Sequence, residues 1–139
     1  MKPMTVGEWM HPGVITCHPE TPVAEVAATM DANDISALVV VDGGGEALGV
    51  ISRTDLVNAR FIEPYMKHWR GLNAEHLMTK PVISVTVDTT ISEAVQLLNE
   101  KRIHRLVVCE KTGSHGRPIG ILSVTDLAKH AGERPTAED

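Results

Sequence analysis

The apolar positions of this chain form one pattern that occurs twice. In two stretches they recur at i, i+3, i+4 and i+7, which is the spacing of an amphipathic helix. The apolar faces of these two predicted helices consist of Val23, Val26, Ala27 and Met30, and of Ile91, Ala94, Val95 and Leu98. Each helical stretch is followed by two short runs of mostly β-branched and aliphatic residues, joined by a turn. The pattern therefore predicts two units of strand, helix, strand, strand and helix.

The two units also share individual residues. Shifted by 68 positions, the segment that begins at Met10 aligns with the segment that begins at Met78. After a three-residue insertion the offset becomes 71, and Gly49-Val50-Ile51-Ser52-Arg53-Thr54-Asp55-Leu56 aligns with Gly120-Ile121-Leu122-Ser123-Val124-Thr125-Asp126-Leu127. A repeat of this length is one supersecondary unit, and two such units predict pseudo-two-fold packing with a seam between them. Seams of this kind are common ligand sites.

The repeats divide the chain into segments. We predict a first repeat over residues 5–61, a linker over 62–74, a second repeat over 75–130 and a disordered tail over 131–139. The predicted strands cover 14–16, 35–41 and 48–51 in the first repeat, and 103–109 and 119–122 in the second. Thr21 is the predicted N-cap of a helix whose first residue is Pro22, and Thr90 with Glu93 forms a predicted capping box.

The return strands are nearly all apolar, which predicts helices on both faces of each sheet. The predicted fold class is therefore α/β (α+β), with two β-α-β-β-α repeats packed with pseudo-two-fold symmetry. A chain of 139 residues buries roughly two-thirds of its unfolded surface, so a core can form without a disulfide or a metal.

Composition narrows the functional classes. The formal net charge of −5 disfavours nucleic acid as the main partner. The first residues lack the apolar stretch of a signal peptide, and no segment reaches the roughly 20 apolar residues of a membrane span. We therefore expect a cytoplasmic protein that binds neither nucleic acid nor membrane. Cys17 and Cys109 lie in predicted strands, and the sequence leaves open both a pair of free thiols, which a reducing cytoplasm favours, and a disulfide.

The pattern Ser-x-Thr-Asp occurs where the last strand of each repeat meets the last helix, at Ser52–Asp55 and at Ser123–Asp126. One interpretation is structural, because Ser at an N-cap with an acidic residue three positions later resembles a capping box. The other is functional. A carboxylate accepts hydrogen bonds from the paired hydroxyls of a ribose, and the hydroxyls and free amides of a helix N-terminus bind phosphate.

Other candidate sites are weaker. Cys17 and His18 with His11 are metal-ligating residue types, but neighbouring residues on a strand point to opposite faces. Gly43-Gly44-Gly45 joins two strands and does not open a helix, so it predicts a hairpin turn and not a phosphate loop. The sequence shows no nucleophile in a catalytic context. We expect no enzymatic activity, no metal and no resident cofactor.

The pattern Gly-h-h-Ser-x-x-Asp-h after a Leu-Val-Val-Val strand, where h is an apolar residue, is duplicated at an interval of about 70 residues. Over about residues 5–130 this arrangement resembles a tandem pair of CBS domains, the Bateman module of nucleotide-sensing proteins. Met10-His11-Pro12 and Ile103-His104-Arg105-Leu106-Val107-Val108 are similar to further segments of that family. The resemblance implies that AMP, ADP, ATP or S-adenosylmethionine binds in two clefts between the repeats, and that pairs associate into flat homodimers.

The resemblance also implies roles for particular residues. Asp55 and Asp126 would hold ribose, and His104 and Arg105 would contact phosphates. The hydroxyls expected near phosphate or ribose are those of Ser52, Thr54, Ser123 and Thr125. The residues expected beside the base are Thr16, Ile35, Ser36 and Ala37 in one cleft, and Ser84, Ile103 and His104 in the other.

The two predicted sites are unequal. The first repeat has Ser36-Ala37 where the second has His104-Arg105, so it lacks that phosphate-binding charge. Arg53 is a candidate to compensate, although an Arg in a first helical turn is more often solvated. Linker residues Lys67, His68 and Arg70 are further, weaker candidates for a phosphate tail.

The leading hypothesis is a stand-alone regulatory module that senses an adenosine nucleotide or adenosyl compound and changes its dimer shape, acting on an effector protein in trans. One alternative is a dimerisation scaffold in which the Ser-x-Thr-Asp segments are only helix caps. A third hypothesis is a metal- or redox-responsive protein that uses Cys17 and its neighbouring histidines.

Overall fold

The computed structural model describes residues 4–61, 69, 71–110 and 116–132. In this part of the chain the helices are α1 (Val6–Trp9), α2 (Val23–Asn33), α3 (Arg53–Phe61), α4 (Ala74–Leu77), α5 (Ile91–Lys101) and α6 (Val124–Ala131). The strands are β1 (His11–Pro12), β2 (Thr16–Cys17), β3 (Ala37–Val41), β4 (Ala47–Ser52), β5 (Ser84–Val85), β6 (Arg105–Cys109) and β7 (Pro118–Ser123). The predicted mixed α and β fold with two repeats is confirmed.

The chain forms two compact units that do not coincide with its sequence repeats. The first-repeat unit spans Val14–Val82, and the second-repeat unit combines Met1–Gly13 with Ile83–Asp139. Residues preceding the first repeat's own strands therefore pack on the second repeat. Thr5 forms an antiparallel bridge with Thr90, and the Val6 N–H donates to the Thr89 carbonyl over 2.8 Å.

Each unit contains one sheet with the same central arrangement. In the first-repeat unit the strand order is β2-β3-β4, with β2 parallel and β4 antiparallel to the central β3. In the second-repeat unit the order is β1-β7-β6-β5, with β5 parallel and β7 antiparallel to β6. Here β1 extends the sheet beyond β7. At the equivalent edge of the first-repeat unit, Val50 and Thr79 form an isolated bridge.

The central strands are buried along their length, whereas the return strands are not. Every residue of β3 is buried, but burial alternates along β4 and along the second half of β7. The expectation that helices cover both faces therefore holds for the central strand and is wrong for the return strands. Apolar composition does not distinguish a fully buried strand from a half-buried one, because half-buried positions of β4 such as Val50 also carry aliphatic side chains.

A glycine in each return strand makes room for a methionine from the segment that packs across it. A Cβ on Gly49 would lie 2.8 Å from Met78 Sδ, and a Cβ on Gly120 would lie 2.9 Å from Met10 Sδ and 2.8 Å from the His11 carbonyl oxygen. Any side chain at either position would force its neighbour to move. The duplicated glycine and methionine thus form one packing contact in each unit.

Local details differ from the predictions at three helix positions. Helix α2 begins after Pro22, and Thr21 does not cap it, because its hydroxyl instead accepts the backbone N–H of His18 over 3.1 Å. Val95, predicted on the buried face of α5, is 37% exposed. Helix α6 extends to Ala131, one residue into the predicted tail, and residues 133–139 lie outside the described chain.

The capping box at the start of α5 is confirmed. Thr90 Oγ1 accepts the Glu93 N–H over 3.1 Å, and Glu93 Oε1 accepts both the N–H and the hydroxyl of Thr90. These bonds to the charged form lower the pKa of Glu93.

Candidate functional site

The first candidate junction lies where β4 ends and α3 begins. The Ser52 N–H donates to Asp55 Oδ2 over 2.8 Å, and the Ser52 hydroxyl donates to the same oxygen over 3.0 Å. In return, the Asp55 N–H donates to Ser52 Oγ over 3.2 Å. The result is a reciprocal cap that satisfies two donors near the start of the helix.

The second junction, where β7 meets α6, has the same geometry. The Ser123 N–H and hydroxyl donate to Asp126 Oδ2 over 2.9 and 3.0 Å. The Asp126 N–H donates to Ser123 Oγ over 3.1 Å. The corresponding distances at the two junctions agree within 0.1 Å, so the sequence repeat is also a repeat of atomic arrangement.

The cap uses only one oxygen of each carboxylate. Within the described part of the chain, neither Asp55 Oδ1 nor Asp126 Oδ1 accepts a hydrogen bond, and both residues are half-buried. A carboxylate accepts roughly four hydrogen bonds, so each retains capacity for a diol. Because the cap already fixes the side chain, a ligand would not have to order it. The capping and ligand-binding interpretations are therefore compatible.

The start of β3 contributes backbone and small side chains to the first junction. Ala37 lies opposite Ser52 in the sheet register, and the Ser36 carbonyl accepts the Arg53 N–H over 3.0 Å. Thr54 is exposed in the first turn of α3. Thr16 is also exposed, and it pairs with Val39 of β3, which lies two residues after Ala37.

The side chain of Arg53 is held by groups outside the cap. Its Nε donates to the Ile35 carbonyl over 3.2 Å, and its Nη2 lies 3.2 Å from Asp34 Oδ1. The sequence interpretation did not include Asp34 as a functional residue. Its αL backbone, with φ of 49°, places it at the C-cap of α2.

At the second junction, Arg105 occupies the place of Ala37. Arg105 lies opposite Ser123 in the register of β6 and β7 and is half-buried. The neighbouring His104 carbonyl accepts the Val124 N–H over 2.8 Å. Thr125, like Thr54, is exposed in the first helical turn. The second junction thus has a cation in register with its cap, and the first has a methyl group.

The other residues predicted for this site have further neighbours in the second-repeat unit. Ile103 and His104 line a groove between α5 and α6, together with residues of those helices. Ser84 lies in β5 opposite Val107 of β6, and its side chain is placed to lower the pKa of Cys109. The structure therefore places Arg105 and the His104 carbonyl beside the cap formed by Ser123 and Asp126, whereas Ile103 and Ser84 have neighbours outside it.

Both cysteines are free thiols whose surroundings disfavour ionisation. Partial burial raises the pKa of Cys17 from 9.0 to about 11, with a smaller contribution from the nearby Glu25 charge and a lowering contribution from Thr21. Burial also raises the pKa of Cys109. Reactive and metal-binding cysteines need accessible thiolates, so these environments argue against a redox or metal role.

Two further observations concern the described residues alone. They contain no group of three or more His, Cys, Asp or Glu side chains placed to hold a metal ion. They also contain no helix with the length and hydropathy that a membrane crossing requires. The linker candidates Lys67, His68 and Arg70 lie outside the described part of the chain.

Comparison with known sequences supports the resemblance. The CBS domain family model matches residues 6–61 and 74–133. An uncharacterised protein of Methanopyrus kandleri is 32% identical over 127 residues, which cover 91% of this chain and 62% of that protein. Inosine-5′-monophosphate dehydrogenase of Methanocaldococcus jannaschii is 30% identical over 126 residues, covering 91% of this chain and 23% of the enzyme. The chain thus spans less than two-thirds of the length of these relatives.

Solved structures share the fold. CBSX2, a CBS-pair protein from Arabidopsis thaliana, was solved in complex with AMP; it is 27% identical with a TM-score of 0.76, and the match covers 92% of this chain and 96% of that one. The CBS domain pair of protein MJ0100, in complex with 5′-methylthioadenosine and S-adenosyl-L-methionine, has a TM-score of 0.80 at 21% identity, covering 94% and 98%. The family model matches both repeats, the solved CBS pairs share the fold, and the two junctions have the same cap. The chain therefore belongs to the CBS-domain family, as a tandem pair.

Proposed function

We propose that this protein is a regulatory module that binds an adenosine nucleotide, with AMP as the first candidate, and that it has no catalytic activity of its own. The observation that carries the proposal is the capped carboxylate at each junction. Asp55 and Asp126 are each held through Oδ2 and keep Oδ1 for a ligand. A ribose diol supplies the two donors that such a group accepts.

The charges near the two junctions support unequal sites. Arg105 lies in register with Ser123 and is the cation that we assign to the nucleotide phosphate. At the first junction the equivalent residue is Ala37, and the nearby Arg53 is engaged with Asp34. We propose that the second junction prefers a phosphorylated ligand and that the first prefers one with an uncharged substituent, such as an adenosyl compound.

The relatives support the same class of function. CBSX2 was solved with AMP, and the match covers 92% of this chain and 96% of that one. The dehydrogenase relatives match this chain over about a quarter of their own length or less, so the likeness does not extend to a whole enzyme. We propose that ligand binding changes the shape of a homodimer and that an effector protein responds to it. A ligand shifts that equilibrium only by its difference in affinity between the two shapes.

Calorimetric titration of the purified protein with AMP, ADP, ATP and S-adenosylmethionine tests the proposal. We expect saturable AMP binding and a loss of at least about tenfold in affinity in Asp126→Ala, because a hydrogen bond to a charged group contributes roughly 1.5–3 kcal/mol. Absence of binding by all four ligands at millimolar concentration would contradict the proposal. In that case the scaffold alternative, with the two junctions acting only as caps, explains the geometry.

A matched control separates binding from capping. Glu93→Ala removes a capping box of the same form at the start of α5, where no ligand site is proposed. Both substitutions should lower the melting temperature of the ligand-free protein. Only Asp126→Ala should reduce AMP affinity. Equal affinities in the two variants would show that Asp126 is a cap and no more.

A further inference from the structure

Arg53 connects the start of α3 to the three residues that lead into β3. Its backbone N–H donates to the Ser36 carbonyl over 3.0 Å, and its Nε donates to the Ile35 carbonyl over 3.2 Å. Its Nη2 lies 3.2 Å from Asp34 Oδ1. The planar fork of a guanidinium lets one side chain reach a carbonyl and a carboxylate together. We call these contacts of Arg53 with residues 34–36 the Arg53 clip.

The second-repeat unit keeps the backbone part of this arrangement and replaces both side chains. The Val124 N–H donates to the His104 carbonyl over 2.8 Å, which matches the backbone bond of the clip. Val124 has an aliphatic side chain, and Arg102 stands at the C-cap position that Asp34 occupies in the first repeat. The side-chain part of the clip is therefore specific to the first junction.

Stability alone does not account for the clip. The Arg53 side chain is 56% exposed and that of Asp34 is 98% exposed, and exposed ion pairs contribute little to stability. The clip does, however, fix a position. The Ile35 N–H donates to the Met30 carbonyl over 3.1 Å, and the Ile35 side chain packs against the core cluster that contains Met30 and Leu38. With its N–H bonded to α2 and its carbonyl bonded to Arg53, Ile35 is held from both sides.

We propose that Arg53 is a positioning residue for the ligand of the first junction. It holds the backbone of Ile35 and Ser36 against the cap formed by Ser52 and Asp55, so that an adenosyl ligand meets a surface that is already ordered. Such a surface spares the ligand the cost of ordering it. The inference rests on the proposed function, because Ile35 and Ser36 enter it as residues expected beside the base. Arg53 acts through the backbone of its neighbours and needs no contact with the ligand.

Calorimetric titration with adenosine tests this role, because adenosine carries no charge. Every protein in the series carries Asp126→Ala, so that the first junction dominates binding. We expect Arg53→Val, which installs the residue of the second repeat, to lower the affinity for adenosine about fivefold. Unchanged affinity in this variant would overturn the role of the clip and leave the proposed function standing. Absence of adenosine binding before Arg53 is substituted would overturn both.

Asp42→Ala is the matched control. Asp42 is a carboxylate of the same unit, and its Oδ1 accepts the N–H groups of Gly44 and Glu46 in the turn between β3 and β4. This turn lies at the opposite end of the two strands from the junction. Asp42→Ala should therefore leave the affinity for adenosine unchanged. An equal loss of affinity in Asp42→Ala and Arg53→Val would show a general effect of stability and would overturn the proposal.

Ionic strength provides a signature that a general loss of stability does not produce. Salt screens the exposed pair of Arg53 and Asp34, so the affinity for uncharged adenosine should fall about twofold between low and high salt. In Arg53→Val the affinity should not depend on salt. The same salt dependence in both proteins would overturn the proposal.

Hydrogen exchange of the ligand-free protein measures the clip without any ligand. The Ile35 amide should exchange about threefold faster in Arg53→Val, because its residue is then held from one side only. Unchanged exchange would show that Arg53 does not position this segment, whatever the protein binds.

Discussion

The two junctions of this molecule have the same cap in different electrostatic surroundings. Ser52 and Asp55 form the same three hydrogen bonds as Ser123 and Asp126, with corresponding distances that differ by at most 0.1 Å. Around the caps, however, one repeat has an ion pair between Arg53 and Asp34, and the other has Val124 in place of the Arg.

The comparison separates two roles within one duplicated motif. The cap is local, since a residue and its neighbour three positions later make all of its bonds, and any sequence with these residues at a strand end can form it. The flanking charges come from other elements of the unit. Duplication therefore preserves the cap, while the flanking residues change the charge that surrounds it.

The largest expected effect is the slow reaction of the Cys17 thiol in the folded protein. With its pKa at about 11 instead of 9.0, Cys17 should have about 100-fold less thiolate at pH 8 than an unfolded thiol. We expect correspondingly slow reaction with iodoacetamide, and a rise toward the unfolded rate in denaturant. The folded protein holds the Cys17 thiol proton more tightly than the unfolded chain does. The neutral thiol therefore contributes to the stability of the fold below pH 9.0, and this contribution is lost as the pH rises toward about 11. Rapid labelling of the folded protein at pH 8 would contradict this.

Substituting the return-strand glycines should give the next largest effect. Gly120→Ala places a Cβ 2.8 Å from a backbone carbonyl oxygen, whereas Gly49→Ala meets only the Met78 side chain, which can move. We expect Gly120→Ala to destabilise by about 1–3 kcal/mol and Gly49→Ala by less. Urea denaturation measures both. Gly43→Ala, with open space around the new Cβ, is the neutral control.

Removing each cap tests whether the two junctions are equal in energy as well as in geometry. Asp55→Ala and Asp126→Ala should each lower the free energy of unfolding by about 1 kcal/mol, because each leaves the N–H and hydroxyl of the capping serine without their carboxylate acceptor. Thermal unfolding of the ligand-free variants is the measurement. A large difference between the two values would show that surroundings, and not the cap, determine the stability of a junction.

The smallest expected effect comes from the ion pair of the first junction. Arg53→Val installs the residue that the second repeat carries at this position. Because both partners are largely exposed, the loss should be below about 1 kcal/mol and should shrink in high salt. Urea denaturation at low and high ionic strength measures it. A larger, salt-independent loss would show that the bond from Arg53 to the Ile35 carbonyl matters more than the charge.

Much of the fold could be predicted from the sequence, because its signals are local. The spacing of Val23, Val26 and Met30 predicted a helix whose buried face these residues form, and Thr90 with Glu93 predicted a capping box that is present. The prediction for Thr21 was wrong because its hydroxyl has a competing partner, the His18 N–H, in the preceding turn.

The site was predictable only in part. The caps at Ser52 and Ser123 follow from spacing, but the positions of Ile103 and His104 in the helical groove depend on how α5 and α6 are placed in the folded unit. The burial of return strands likewise depends on what packs on each face. Apolar composition gives no information on that point.

The sequence by itself determined that two like units exist, where their helices and strands lie, and that each ends in a capped carboxylate, because neighbouring residues specify these features. Only the tertiary structure decided that the first residues of the predicted first repeat, up to Gly13, pack on the second, and that Gly49 and Gly120 accommodate methionines from distant segments. These contacts join residues far apart in the chain. Periodicity and spacing along the sequence contain no record of which distant surfaces fit together.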